Sequence, residues 1–277
     1  MSADSRRPAV GNGASRYLTA IPDPQAKLRL FCFHEGGGTV SVFARWAGAF
    51  GPAVTVIPVE LPGHGSRAQE PLITDLDVLL HELNEHLGPE LMAPYALYGH
   101  CLGAMLAHAF IRLRMRNNER LPECLVIGAC PAPGSYFSRA KELLDLPDDE
   151  LTKWLVDVGI IPPQIASSPQ LRDRASAAAR CDGNLIVQYH CTSDEPVSCP
   201  VHAFIGDVDT AGPFHDIAEW AMYTTAAFTV QTVPGGHLFH LQRPEALMSE
   251  LTHLFDGYVR RLQDRSERRH ASEAPRI

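Results

Sequence analysis

Apolar and polar positions alternate in two ways along this chain. Short apolar runs bounded by turn residues lie at 28–33, 94–98, 201–205 and 228–233, and each reads as a buried strand. An apolar helix follows the second run, at 104–110. From about residue 135 to 190 this alternation is interrupted. Residues 138–144, 151–156 and 170–189 read there as amphipathic helices separated by prolines, with Asp148 as the expected N-cap of the middle one. Strands joined through helical segments predict an α/β fold, a mostly parallel central sheet flanked by helices, over residues 26–262 with 135–190 inserted. Residues 1–25 carry proline, glycine and serine without periodicity, and residues 263–277 are charged and polar. Both read as frayed tails. No internal repeat or low-complexity tract interrupts the pattern.

The junction between the strand at 94–98 and the helix after it reads Gly99-His100-Cys101-Leu102-Gly103, a G-x-S-x-G nucleophile elbow with cysteine in place of serine. Glycines at 99 and 103 leave room for neighbouring backbone, and the helix N-terminus behind residue 101 favours a thiolate. Taken alone, the pattern also suits a small buried cysteine, as the other six (Cys32, Cys124, Cys130, Cys181, Cys191 and Cys199) are expected to be. Partners later in the chain weigh for a nucleophile. The run at 201–205 ends in Gly206-Asp207-Val208-Asp209, and the run at 228–233 ends in Pro234-Gly235-Gly236-His237. Such a βαβ unit brings Asp209 and His237 to the sheet edge that carries Cys101. His237 is then the general base, and Asp209 fixes its tautomer. Asp207 is the rival acid, expected to brace the turn instead, and His240 reads as packing. At the front, the run at 28–33 leads into His34-Glu35-Gly36-Gly37-Gly38. There the N–H of Gly36, with that of Leu102, would form an oxyanion hole. A phosphate loop fits worse, because both the G-x-G-x-x-G spacing and a P-loop lysine are missing.

These motifs, with Phe43-Ala44-Arg45-Trp46 and Glu60-Leu61-Pro62-Gly63-His64-Gly65-Ser66-Arg67, make the chain resemble the type II thioesterases. Those are stand-alone α/β-hydrolases that accompany polyketide synthases and nonribosomal peptide synthetases. The resemblance implies an α/β-hydrolase fold whose 135–190 insertion is a helical lid. It also implies a substrate that is an acyl or aminoacyl thioester on the phosphopantetheine of a carrier protein, with no cofactor bound by the enzyme. Trp154, Leu155 and Ile160 would be lid contacts on that reading and ordinary core otherwise, with core slightly favoured. Two departures stand out. Glu35 takes the place of the family's usual histidine near the pocket mouth, and Cys101 takes that of its usual serine. A cysteine acyl-enzyme is itself a thioester, so the acyl group stays activated. Transacylation and cyclisation onto an internal hydroxyl therefore join hydrolysis as expected reactions. A lactone hydrolase with a cysteine elbow and a catalytically idle carrier-binding protein are the remaining alternatives.

Composition adds limits. A hydrophobic share of 45% with 20% charged residues suits a globular core, and a net charge of −8 disfavours nucleic-acid binding. Docking an acyl or peptidyl carrier protein then needs local basic residues. Arg139, Lys141, Lys153, Arg172 and Arg174 are the expected set, whereas Arg112, Arg114, Arg116 and Arg120 read as solvated charges at a helix end. Seven unpatterned cysteines without C-x-x-C spacing argue against a disulfide framework or a zinc site, and no run reaches the length of a membrane span. A monomer in the cytoplasm, with no metal and no membrane contact, is expected.

Overall fold

Leu-Arg-Leu-Phe-Cys-Phe and its counterparts at 95–100, 125–128 and 201–206 bury both faces of their strands, as the covered centre of a parallel sheet requires. The computed structural model describes residues 15–190, 195–209 and 214–273. Its strands are β1 (Leu28–Phe33), β2 (Val54–Val59), β3 (Tyr95–His100), β4 (Leu125–Gly128), β5 (Val201–Gly206) and β6 (Phe228–Val233). They form one all-parallel sheet in the order β2-β1-β3-β4-β5-β6. Side-chain alternation sorts the core into two layers. Phe31, Phe33 and Leu97 face α1 (Leu76–Leu87) and α2 (Leu102–Arg116), while Leu30, Cys32 and Tyr98 face Phe43, Trp46 and the C-terminal helix.

The insertion comprises α3 (Pro133–Leu144), α4 (Asp148–Val158), α5 (Pro163–Ala166) and α6 (Pro169–His190). It matches the expected helices with one correction. Pro147 takes the cap position and Asp148 is the first helical residue. The Asp148 carboxylate instead accepts from the Arg180 guanidinium of α6 at 2.6 Å, tying the two helices together. Helix α7 (Phe214–Ala218) joins β5 towards β6, and α8 (Phe239–Gln242) leads into α9 (Pro244–Glu273).

Both expected tails need correction where they are described. Tyr17 is fully buried, its hydroxyl donates to Glu82 at 2.8 Å, and the Arg67 guanidinium lies 4.3 Å from its ring centre. Leu18 adds an antiparallel bridge to Val59. At the other end, α9 runs to Glu273. Leu247, Leu251 and Phe255 form its buried stripe, each contributing roughly 1.5–3 kcal/mol. Past residue 262 the helix carries strong helix formers and an Arg265–Glu123 ion pair instead of an apolar face. Residues 1–14 and 274–277, and Cys191, lie outside the described residues.

Arg112 and Arg114 are also buried, contrary to their reading as solvated charges. Arg114 donates to Asn84 at 2.7 Å and pairs with Glu119 at 3.0 Å, so packing against α1 withdraws it from solvent. Among the described residues no helix is long and apolar enough to cross a membrane.

Candidate active site

Cys101 sits between β3 and α2 at φ 53°, ψ −116°, a conformation that costs a non-glycine residue on the order of 1–3 kcal/mol. The surroundings impose it. A Cβ on Gly99 would lie 2.2 Å from the Gly103 carbonyl oxygen, and one on Gly103 would lie 2.3 Å from that of Phe33. Both positions must be glycine for the helix to start this close to the sheet. The Cys101 N–H donates to Gly128 O at 2.8 Å, which fixes the turn to β4. Although only 8% exposed, Cys101 lines a cavity of about 70 Å³ together with Gly36 and His237.

His237 arrives on the loop after β6. Its Nδ1 lies 3.1 Å from Asp209 Oδ2, and its ring is also hydrogen-bonded to Cys101. Burial works to lower the His237 pKa. The hydrogen bonds to Asp209 and Cys101, with their charges, outweigh it and push the pKa up to about 10. Asp207 Oδ1 accepts the Gly235 N–H at 2.8 Å, so the rival acid ties the two loops together while Asp209 reaches the imidazole.

His100, inside the elbow, went unread in the sequence. Its Nε2–H donates to the His237 carbonyl at 2.7 Å, and its Nδ1 accepts from the Tyr98 hydroxyl at 3.0 Å. Burial, aided by the neighbouring His240 and His237, holds its pKa well below the ordinary value, which keeps this tautomer neutral. His240 is more than packing. It is fully buried with Nε2 3.2 Å from Glu35 Oε2, and its ring centre lies 3.7 Å from that of His100. Glu35 is buried too. Burial works to raise its pKa, but pairing with His240 and the nearby His34 brings it below the usual carboxylate range.

The glycine loop after β1 passes close to the elbow. A Cβ on Gly36 would lie 3.7 Å from Leu102 Cβ, and among the described residues neither of the two amides is engaged by another group of the chain. The next amide, Gly37 N–H, donates to Asp182 Oδ2 at 2.7 Å. The same oxygen lies 3.0 Å from His64 Nε2. Asp182 belongs to α6 and had no signal in the sequence, because both partners lie more than 100 residues away, 145 and 118 positions respectively.

The lid closes the cavity with Leu144, Leu151, Trp154, Leu155 and Ile160. Thus Trp154, Leu155 and Ile160 face the site while also packing among themselves, with Leu151 and Ile161. The expected docking cations are mostly paired locally. Lys153 meets Asp157 at 2.5 Å, Arg172 meets Asp173 at 3.1 Å, and Arg174 is 3.4 Å from Gln69 Oε1. Lys141 is exposed, and the side chain of Arg139 lies outside the described residues. Among the described residues no group of three histidine, cysteine or acidic side chains could hold a metal ion.

A chain with this elbow, histidine loop and lid has identifiable relatives. The Thioesterase domain family model matches residues 28–255. The gramicidin S biosynthesis protein GrsT of Aneurinibacillus migulanus is 27% identical over 223 residues, covering 80% of this chain and 87% of its own. Among solved structures, RedJ, a thioesterase from the prodiginine biosynthetic pathway in Streptomyces coelicolor, superposes with a TM-score of 0.77 at 30% identity, covering 85% of this chain and 95% of RedJ. The type II thioesterase BorB from the borrelidin biosynthetic cluster gives 0.72 at 26%, covering 87% and 98%. The chain belongs to the thioesterase-domain family of α/β-hydrolases.

Proposed function

We propose that this enzyme cleaves acyl or aminoacyl thioesters from the phosphopantetheine of an acyl or peptidyl carrier protein in polyketide or nonribosomal peptide assembly, with Cys101 as nucleophile. The observation that carries this is Cys101 on a strained elbow, open to a cavity and hydrogen-bonded to an imidazole that Asp209 holds from behind. Relatives named for gramicidin S, prodiginine and borrelidin biosynthesis support the substrate class.

In the resting pair His237, its pKa raised to about 10, carries a proton. The sulfur attacks the thioester carbonyl, and charge on the carbonyl oxygen is met by the Gly36 and Leu102 N–H groups. Losing one such donor costs roughly 3–4 kcal/mol in other enzymes. Collapse breaks the bond to the pantetheine sulfur, which leaves with the His237 proton. His237 then takes a proton from water as its oxygen attacks the acyl-Cys101 thioester. The second collapse releases the carboxylic acid and restores the resting pair.

Cys101 favours a second reading. Transfer from one thioester to another is nearly thermoneutral, so the acyl group stays competent for a second carrier thiol, an amine or an internal hydroxyl. Incubation with acyl-loaded carrier protein separates the two. Free acid as the main product supports hydrolysis, whereas a second loaded carrier or a ring-closed product supports transfer. No release by either route contradicts both.

A further inference from the structure

Between the lid and the oxyanion loop lies a buried ion pair that the chemistry above does not use. Asp182 is 1% exposed and His64 5%. His64 Nε2 faces Asp182 Oδ2 at 3.0 Å, and its Nδ1 faces Pro62 O at 3.0 Å. Both partners only accept, so both ring nitrogens must carry hydrogen and the ring is an imidazolium. The other ionisable groups around it agree. Glu60 adds negative potential, and His34, 5.1 Å away between ring centres, is held neutral by burial and by the His64 charge.

The Asp182 oxygen that meets this imidazolium also accepts the Gly37 N–H. Two further bonds fix the preceding peptide, since Glu35 O accepts from Gly38 N–H at 3.0 Å and from His34 Nδ1–H at 2.7 Å. In a planar trans peptide, pinning the Glu35 carbonyl aims the Gly36 N–H the opposite way. The whole turn is therefore set through bonds to its own backbone, of which the one from Asp182 is made at the cavity wall.

We propose that Asp182, held in place by His64, is a positioning residue that sets the Gly36 N–H as an oxyanion donor and so makes the donor's placement depend on the seating of lid helix α6. This rests on the Cys101 reading above. The consequence is a selective defect. Steps that develop an oxyanion depend on the clamp, whereas direct alkylation of the Cys101 sulfur does not.

The test compares wild type with Asp182→Asn, using acetyl-pantetheine for acylation and iodoacetamide for alkylation. Asp182→Asn is expected to lower kcat about 10- to 100-fold with KM little changed, the range set by displacement of a catalytic group. Alkylation of Cys101 should stay within about twofold of wild type, because it needs no oxyanion hole. Ring ¹⁵N shifts should report a doubly protonated His64 at neutral pH in wild type and a neutral ring in the variant. Equal losses in acylation and alkylation, unchanged acylation, or a neutral His64 in wild type overturns the proposal. If Asp182→Asn does not fold, His64→Gln carries the same comparison, because it removes the charge but leaves Gly37 its acceptor. A smaller split in the same direction supports the clamp, and no split overturns it. Failure of the Cys101 reading looks different, since wild type itself would then form no acyl adduct at residue 101.

Discussion

His237 is the residue whose chemistry is set most strongly by its neighbours. Its pKa stands at about 10 because Asp209 and Cys101 together outweigh burial. Replacing the sulfur by a hydroxyl removes one of those two supports, so Cys101→Ser is expected to lower the His237 pKa while leaving its Asp209 bond in place. Ring NMR titration checks this, and an unchanged pKa would show that the two side chains do not interact. Cys101, Asp209 and His237 were legible in the sequence because each ends a strand in a loop with a glycine signature. Asp182, His64 and His100 were not. Their roles arise from contacts between segments far apart in the chain, and nothing local in a helical aspartate or an elbow histidine announces them.

At the scale of elements, the elbow is the least tolerant feature. Gly103→Ala would place a Cβ 2.3 Å from backbone, which only a shift of α2 against β1 can relieve. A stability loss of about 1–3 kcal/mol or more is expected from chemical denaturation, and a loss near zero would mean the turn is looser than described. The lid is tuned more gently. Trp154 occupies the cavity wall as the largest side chain there. Trp154→Ala is expected to raise relative kcat/KM for longer acyl chains, measured over a chain-length series. An unchanged profile would place the acyl group elsewhere. Most strands and the three long lid helices were legible because their apolar runs are short and clearly bounded. Strands β2 and β4 and helices α1 and α9 were not predicted. The far end of α9 has no apolar stripe, so periodicity cannot find it, and helix propensity with one ion pair carries it instead.

The whole molecule binds this site into its stability. A histidine raised from 6.5 to about 10 on folding takes up a proton that the unfolded chain lacks in that interval, so its contribution is complete below pH 6.5 and lost as pH rises through 10. The stability advantage of wild type over His237→Gln should therefore be largest near pH 6 and shrink steadily towards pH 10. A difference that grows with pH would reverse the sign of the interaction. The global charge of −8 leaves docking to local cations, of which Lys153 and Arg172 are engaged by neighbouring acids.

Peptide mapping after brief exposure to acyl-loaded carrier protein tests the central claim most directly. The account predicts one acyl group in thioester linkage on Cys101, released by hydroxylamine and absent from Cys101→Ala. An acyl group on another residue, or full turnover by Cys101→Ala, would contradict it.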